Sequence, residues 1–83
     1  MRFSERTVED DIVDGQVSEQ IRAMVAELPD EQREVVMMRY YSGLSFKEIA
    51  EAMGVGINTA LGRMRYALIN LRKMMREKNI ILS

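Results

Sequence analysis

Apolar residues recur three and four apart along most of this chain and nowhere alternate in twos over a useful length. The pattern predicts helices and no strand. Val17, Ile21, Met24, Val25 and Leu28 share one face of a first helix from about Val17 to Glu27. Leu28-Pro29-Asp30 breaks it, because proline disfavours helical backbone at the residue before it. Pro29 also suits the first turn of a second helix, whose positive end Asp30 and Glu31 complement. That helix runs to about Tyr41, burying Val35, Val36, Met38 and Tyr40, and Ser42-Gly43 closes it.

The third helix announces its own start. Ser45 is a good N-cap, and Glu48 lies three residues on, where its carboxylate can reach back to the Ser45 N–H. Leu44 and Ile49 can close a hydrophobic staple across that turn. The helix spans roughly Phe46 to Met53, with Ile49, Ala50 and Met53 inward, and Gly54 supplies a left-handed stop. A fourth helix begins near Ile57 and continues past Met75 to about Lys78. The connection between the two is short enough to predict a helix-turn-helix.

On a wheel of about 100° per residue the fourth helix sorts into two faces. Ile57, Ala60, Leu61, Met64, Ala67, Leu68, Leu71, Met74 and Met75 fall within an arc of roughly 140°. The opposite arc carries Asn58, Thr59, Gly62, Arg63, Arg65, Tyr66, Asn70, Arg72 and Lys73, with Ile69 as an apolar exception. Such a helix packs on one side and offers the other to a polar, negatively charged partner or to solvent. Its outward side chains suit a DNA groove: Asn can bond two edge atoms of adenine, Arg can grip guanine or phosphate, and a Thr methyl can touch a thymine methyl. Gly62 costs about 1 kcal/mol relative to alanine in a helix interior. Either close approach of a DNA strand or close packing of another helix can offset that.

Charge refines this reading. Net charge is −1 over 83 residues. Yet three arginines against eight acids leave residues 1–30 at −5, and six bases against Glu77 leave residues 54–83 at +5. Polyanion binding follows the local patch rather than the average. Lys and Arg late in a terminal helix also suit its dipole, so the cluster alone does not choose. Cysteine and histidine are both absent, and the acids show no ligand spacing. An enzyme, a metal site and a cofactor are therefore not expected. The eight methionines fall mostly at core spacing, as with Met24, Met38, Met53, Met64 and Met74. No apolar run reaches membrane-span length and no signal-peptide pattern opens the chain, which makes a soluble cytoplasmic protein with no membrane partner the expectation.

Leu28-Pro29, Arg33-Glu34-Val35, Arg39-Tyr40-Tyr41, Gly43-Leu44-Ser45, Glu48-Ile49-Ala50, Gly54-Val55, Thr59 and Arg63 together resemble region 4 of bacterial RNA polymerase sigma factors, the extracytoplasmic-function group most of all. The ordered set covers about Val17 to Glu77. The resemblance implies an all-α, four-helix domain with a C-terminal helix-turn-helix (winged-helix-like, sigma region 4 type) that reads the promoter minus-35 element. It implies core RNA polymerase, through the β-subunit flap, and an anti-sigma factor as protein partners. By position, Arg39 would contact phosphate from the end of the second helix, and Ser45 and Lys47 would sit near the DNA backbone. Gly56, Asn58, Thr59, Leu61, Gly62, Arg63 and Tyr66 would form the groove-facing start of the fourth helix.

Three departures matter. Gly56 stands where the family usually has a capping Ser, and it caps more weakly. Leu61 and Tyr66 replace positions that are often Lys or Arg, which shifts the reading to Asn58, Arg63 and Arg65. The upstream domain that opens DNA in such factors is missing, so the chain reads as a fragment. Residues 1–15 are then a linker or disordered acidic arm, and residues 16–83 the promoter-binding domain. Two other readings stay open. A response- or quorum-type regulator output domain shares the helix-turn-helix but usually continues Val-Lys-x-His, where this chain has Ala60-Leu61-Gly62-Arg63. A helical protein-interaction module fits the acidic N-terminal third and the Ile80-Ile81-Leu82 tail.

Overall fold

Pro29 sets the first corner of the molecule. In the computed structural model, which describes residues 19–78, helix α1 spans Glu19–Ala26 and α2 begins at Asp30. Pro29, at φ −54° and ψ 150°, serves as the N-cap of α2 rather than as a residue of its first turn. It offers no side-chain oxygen there. Arg33 completes the corner: Nη1 donates to the Leu28 carbonyl at 3.1 Å and Nη2 to Asp30 at 2.7 Å. The expected N-terminal extension of α1 to Val17, the arm over residues 1–15 and the Ile80-Ile81-Leu82 tail lie outside the described residues.

Helix α2, Asp30–Val36, continues into a π turn over Met37–Tyr41 where an unbroken α-helix was expected. The turn is closed by the Ser42 N–H donating to the Met37 carbonyl at 3.0 Å, five residues back. Leu44 N–H then donates to Met38 at 3.0 Å, and Gly43 takes φ +71° to turn the chain. Val35 and Val36 are buried, Met38 and Tyr40 pack partly against the core, and Met37 and Tyr41 are exposed. The sequence hides this turn because one surplus residue leaves the apolar spacing readable as α.

Helix α3, Phe46–Met53, carries both halves of the expected capping box. Ser45 Oγ accepts from the Glu48 N–H at 3.1 Å, and the Ser45 N–H donates to Glu48 Oε1 at 2.8 Å. That bond from the Ser45 backbone, with a lesser one from its hydroxyl, holds the Glu48 carboxyl below its ordinary range. Gly54 ends the helix at φ 71°, ψ 34°, and the Val55 N–H donates to Ala50 at 3.0 Å in a Schellman closure.

Helix α4, Ile57–Lys78, is 22 residues long, or about 33 Å. Its Ala60, Met64, Ala67, Leu68 and Leu71 meet Ile21, Met24 and Val25 of α1, Leu28, Val35 and Val36 of the α2 region, and Ile49 and Ala50 of α3 in one core. Met53, Met74 and Met75 pack at its margin. Two residues of the expected inward arc are not inward: Ile57 is 48% exposed and Leu61 43%. The wheel assumes a neighbour across the whole apolar arc, whereas at the start of α4 the core covers the Ala60 side and leaves Ile57 and Leu61 uncovered. Ile69 points outward as expected. No strand occurs among the described residues, so no β wing flanks the helix-turn-helix there, and no helix among them is long and apolar enough to cross a membrane.

Candidate nucleic-acid interface

The helix-turn-helix consists of α3, the Gly54-Val55-Gly56 connection and the start of α4. The carbonyl of Gly56 accepts from the N–H groups of Thr59 and Ala60, both at 3.1 Å, so Gly56 opens α4 without a capping side chain. From that start Asn58, Thr59, Leu61, Arg65 and Tyr66 project outward and exposed. Gly62 lies among them, and a Cβ placed on it meets nothing within 4 Å. Among the described residues, close packing of another helix is therefore not the reason for that glycine. An unobstructed strip of α4 backbone remains, open to an external partner.

Lys47 is exposed on the first turn of α3, beside Ser45. Ser45 is exposed there, its oxygen accepting from the Glu48 N–H at 3.1 Å. Both residues are exposed at the α3 end of the helix-turn-helix.

Arg39 and Arg63 each have a partner within the domain. Arg39 Nη1 donates to the Leu44 carbonyl at 3.0 Å, and its guanidinium lies 4.8 Å from the centre of the Phe46 ring. It braces the start of α3. Arg63 lies on the flank of α4 that α2 covers. Its Nη2 is 3.4 Å from Glu31 Oε2, with side chains 22% and 69% exposed. One step further along the same flank, Asn70 donates to Gln32 at 2.7 Å. Arg63 and Asn70 thus sit at a polar seam between α2 and α4 rather than on the open face. Neither partner was legible beforehand, since each contact joins residues more than thirty positions apart.

The opposite flank of α4 holds a groove of about 500 Å³ lined by Phe46, Leu61, Met64, Arg65, Leu68, Ile69 and Arg72. Exposed Leu61 and Ile69 give it apolar walls, and Arg65 and Arg72 give it positive charge. Sequence reasoning had the residues but not the groove, because Phe46 reaches it from α3. A second groove of about 430 Å³ is lined by Arg22, Val25, Ala26, Arg33, Met37 and Tyr41, none of them in the helix-turn-helix. Burial there pushes the Tyr41 phenol up, against the pull of the Arg22 guanidinium. Among the described residues no cluster of three or more acids is placed to hold a metal ion.

Comparison with known proteins places this arrangement. The family model "Sigma-70, region 4" matches residues 18–68. The ECF RNA polymerase sigma factor SigW of Bacillus subtilis is 32% identical over 69 residues, covering 83% of this chain and 37% of that protein. ECF RNA polymerase sigma factors SigK of Mycolicibacterium vanbaalenii and Mycobacterium ulcerans are 30% and 33% identical, over 80% and 76% of this chain. The chain spans about a third of the length of these relatives, 34% and 36% for the two SigK proteins. The matched residues hold α1 to α3, the turn and the outward-facing start of α4, and on that match the chain belongs to the Sigma-70 region 4 family.

Proposed function

We propose that this domain binds duplex DNA at the promoter minus-35 element and serves as the promoter-reading part of a sigma factor that directs RNA polymerase to initiate transcription. It is a binding module rather than a catalyst. The observation that carries the reading is the open strip at the start of α4, where Asn58, Leu61, Arg65 and Tyr66 surround a glycine with nothing near its Cβ position. A major groove admits a helix, and Asn and Arg read adenine and guanine edges there. Gly56, Thr59, Gly62 and Arg63 belong to the same face or its margin, and Ser45 and Lys47 supply backbone contacts across the turn. Arg39 acts on this face by holding α3.

The protein partner implied is core RNA polymerase through its β flap, and an anti-sigma factor is a second. The groove between α1 and α2 supports docking of a protein segment, because exposed Met37 and Tyr41 flank it away from the helix-turn-helix. Selection of bound sequences from a randomised duplex pool tests the reading. Enrichment of one short element, with affinity falling steeply as salt rises, is expected. Absence of duplex binding even at low salt would leave a protein-interaction module instead.

A further inference from the structure

The seam between α2 and α4 bears directly on the strength of DNA binding. Arg63 is the basic side chain nearest the open strip on its α2 side, one residue beyond Gly62. Its guanidinium is 3.4 Å from the Glu31 carboxylate. A second contact holds the same seam: Asn70, two turns along the flank, donates to Gln32, the residue after Glu31. A planar guanidinium facing a carboxylate has the same geometry that it takes toward a phosphate. Glu31 is largely exposed, so solvent weakens the pair and an incoming oxyanion can exchange for it.

We infer that Glu31 acts as an internal phosphate mimic that withholds Arg63 from the DNA backbone and so lowers the affinity of the domain for duplexes of arbitrary sequence. This rests on the DNA-binding reading above. An arginine already paired inside the protein contributes little to non-specific attraction, which comes almost wholly from phosphate neutralisation. Arg65, exposed on the open face, is available from the first encounter. Only a duplex that seats α4 closely enough to offer Arg63 a phosphate or base edge displaces Glu31. The pair therefore favours close-fitting sequences over others without Glu31 touching DNA.

The test is a salt titration of binding to a random-sequence duplex by the wild type, Glu31→Gln, Glu34→Gln, Arg63→Ala and the Glu31→Gln/Arg63→Ala double variant, with thermal unfolding as a check on folding. Glu34 is an exposed acid on the same helix and controls for net charge. Glu31→Gln is expected to tighten binding several-fold beyond Glu34→Gln and to steepen the salt slope by about one phosphate contact. Both gains should vanish when Arg63 is absent. Equal affinity for the wild type and Glu31→Gln, or a gain that persists without Arg63, overturns the mimic while leaving DNA binding intact. No binding by any variant at low salt removes the DNA reading, and the mimic with it.

Discussion

Arg39 Nη1 donates to the carbonyl oxygen of Leu44 at 3.0 Å, bridging the turn between the π turn and α3. The same guanidinium covers the Phe46 ring. Replacing Arg39 with methionine removes a charge-assisted hydrogen bond and a cation–π contact together. The expected loss is about 2 kcal/mol of unfolding free energy, summing a charged hydrogen bond and an exposed cation–π pair. Urea denaturation measures it. The dependence of DNA affinity on salt should keep its slope, whereas loss of a direct phosphate contact would flatten that slope by about one.

Gly62→Ala should separate folding from binding. The site is helical and open, so alanine is expected to stabilise the domain by about 1 kcal/mol. If a DNA strand approaches the backbone there, the added methyl should weaken duplex binding at the same time. A variant with a higher Tm and unchanged affinity would place the strand elsewhere on α4.

The cap of α3 should respond to acid. Glu48 has its folded pKa lowered by the Ser45 bonds. A depressed carboxyl contributes stability that is present above its unfolded pKa and is lost as pH falls through the folded one. The Tm of the wild type should exceed that of Glu48→Gln near neutrality, and the two should converge below the ordinary glutamate range. Ser45→Ala should cost about 1 kcal/mol near neutral pH. An unchanged Tm gap down to acid pH would show that the charge on Glu48 has no part in the cap.

Leu71→Ala removes a fully buried side chain where α4 crosses the other helices. A cost of 2–5 kcal/mol is usual for such a truncation, and in a core this small it should leave much of the population unfolded at 37 °C. Circular dichroism against temperature would show it. A small Tm shift would mean that the site collapses around the missing methyls.

The features legible in the sequence are the local ones. The Ser45–Glu48 box, the Gly54 stop and the run from Ile57 to Lys78 each depend on residues within one or two turns, and each appears as expected. The wheel also placed Ala60, Met64, Ala67, Leu68 and Leu71 on the buried side. It failed at Ile57 and Leu61, because an arc says which residues can face a neighbour and not how far that neighbour extends. Arg63 and Asn70 were placed outward for a related reason. Polar residues on a flank look solvated until a second helix, here α2 with Glu31 and Gln32, is known to lie beside them. The groove under Leu61 and Ile69 needed Phe46, and no spacing within α4 could have supplied it.

The π turn at Met37–Tyr41 fixes a phase as well as a shape. It takes up one residue more than an α turn, and each helical residue carries the chain through about 100°. Deleting one residue there should restore an α turn and rotate everything downstream against α1 and the first part of α2. The groove that Met37 and Tyr41 line would be reshaped at its π-turn wall, and the strip around Gly62 would point in a new direction relative to α1. The angle between what docks on one side and what is read on the other is thus encoded in a count of residues, and one codon is enough to change it.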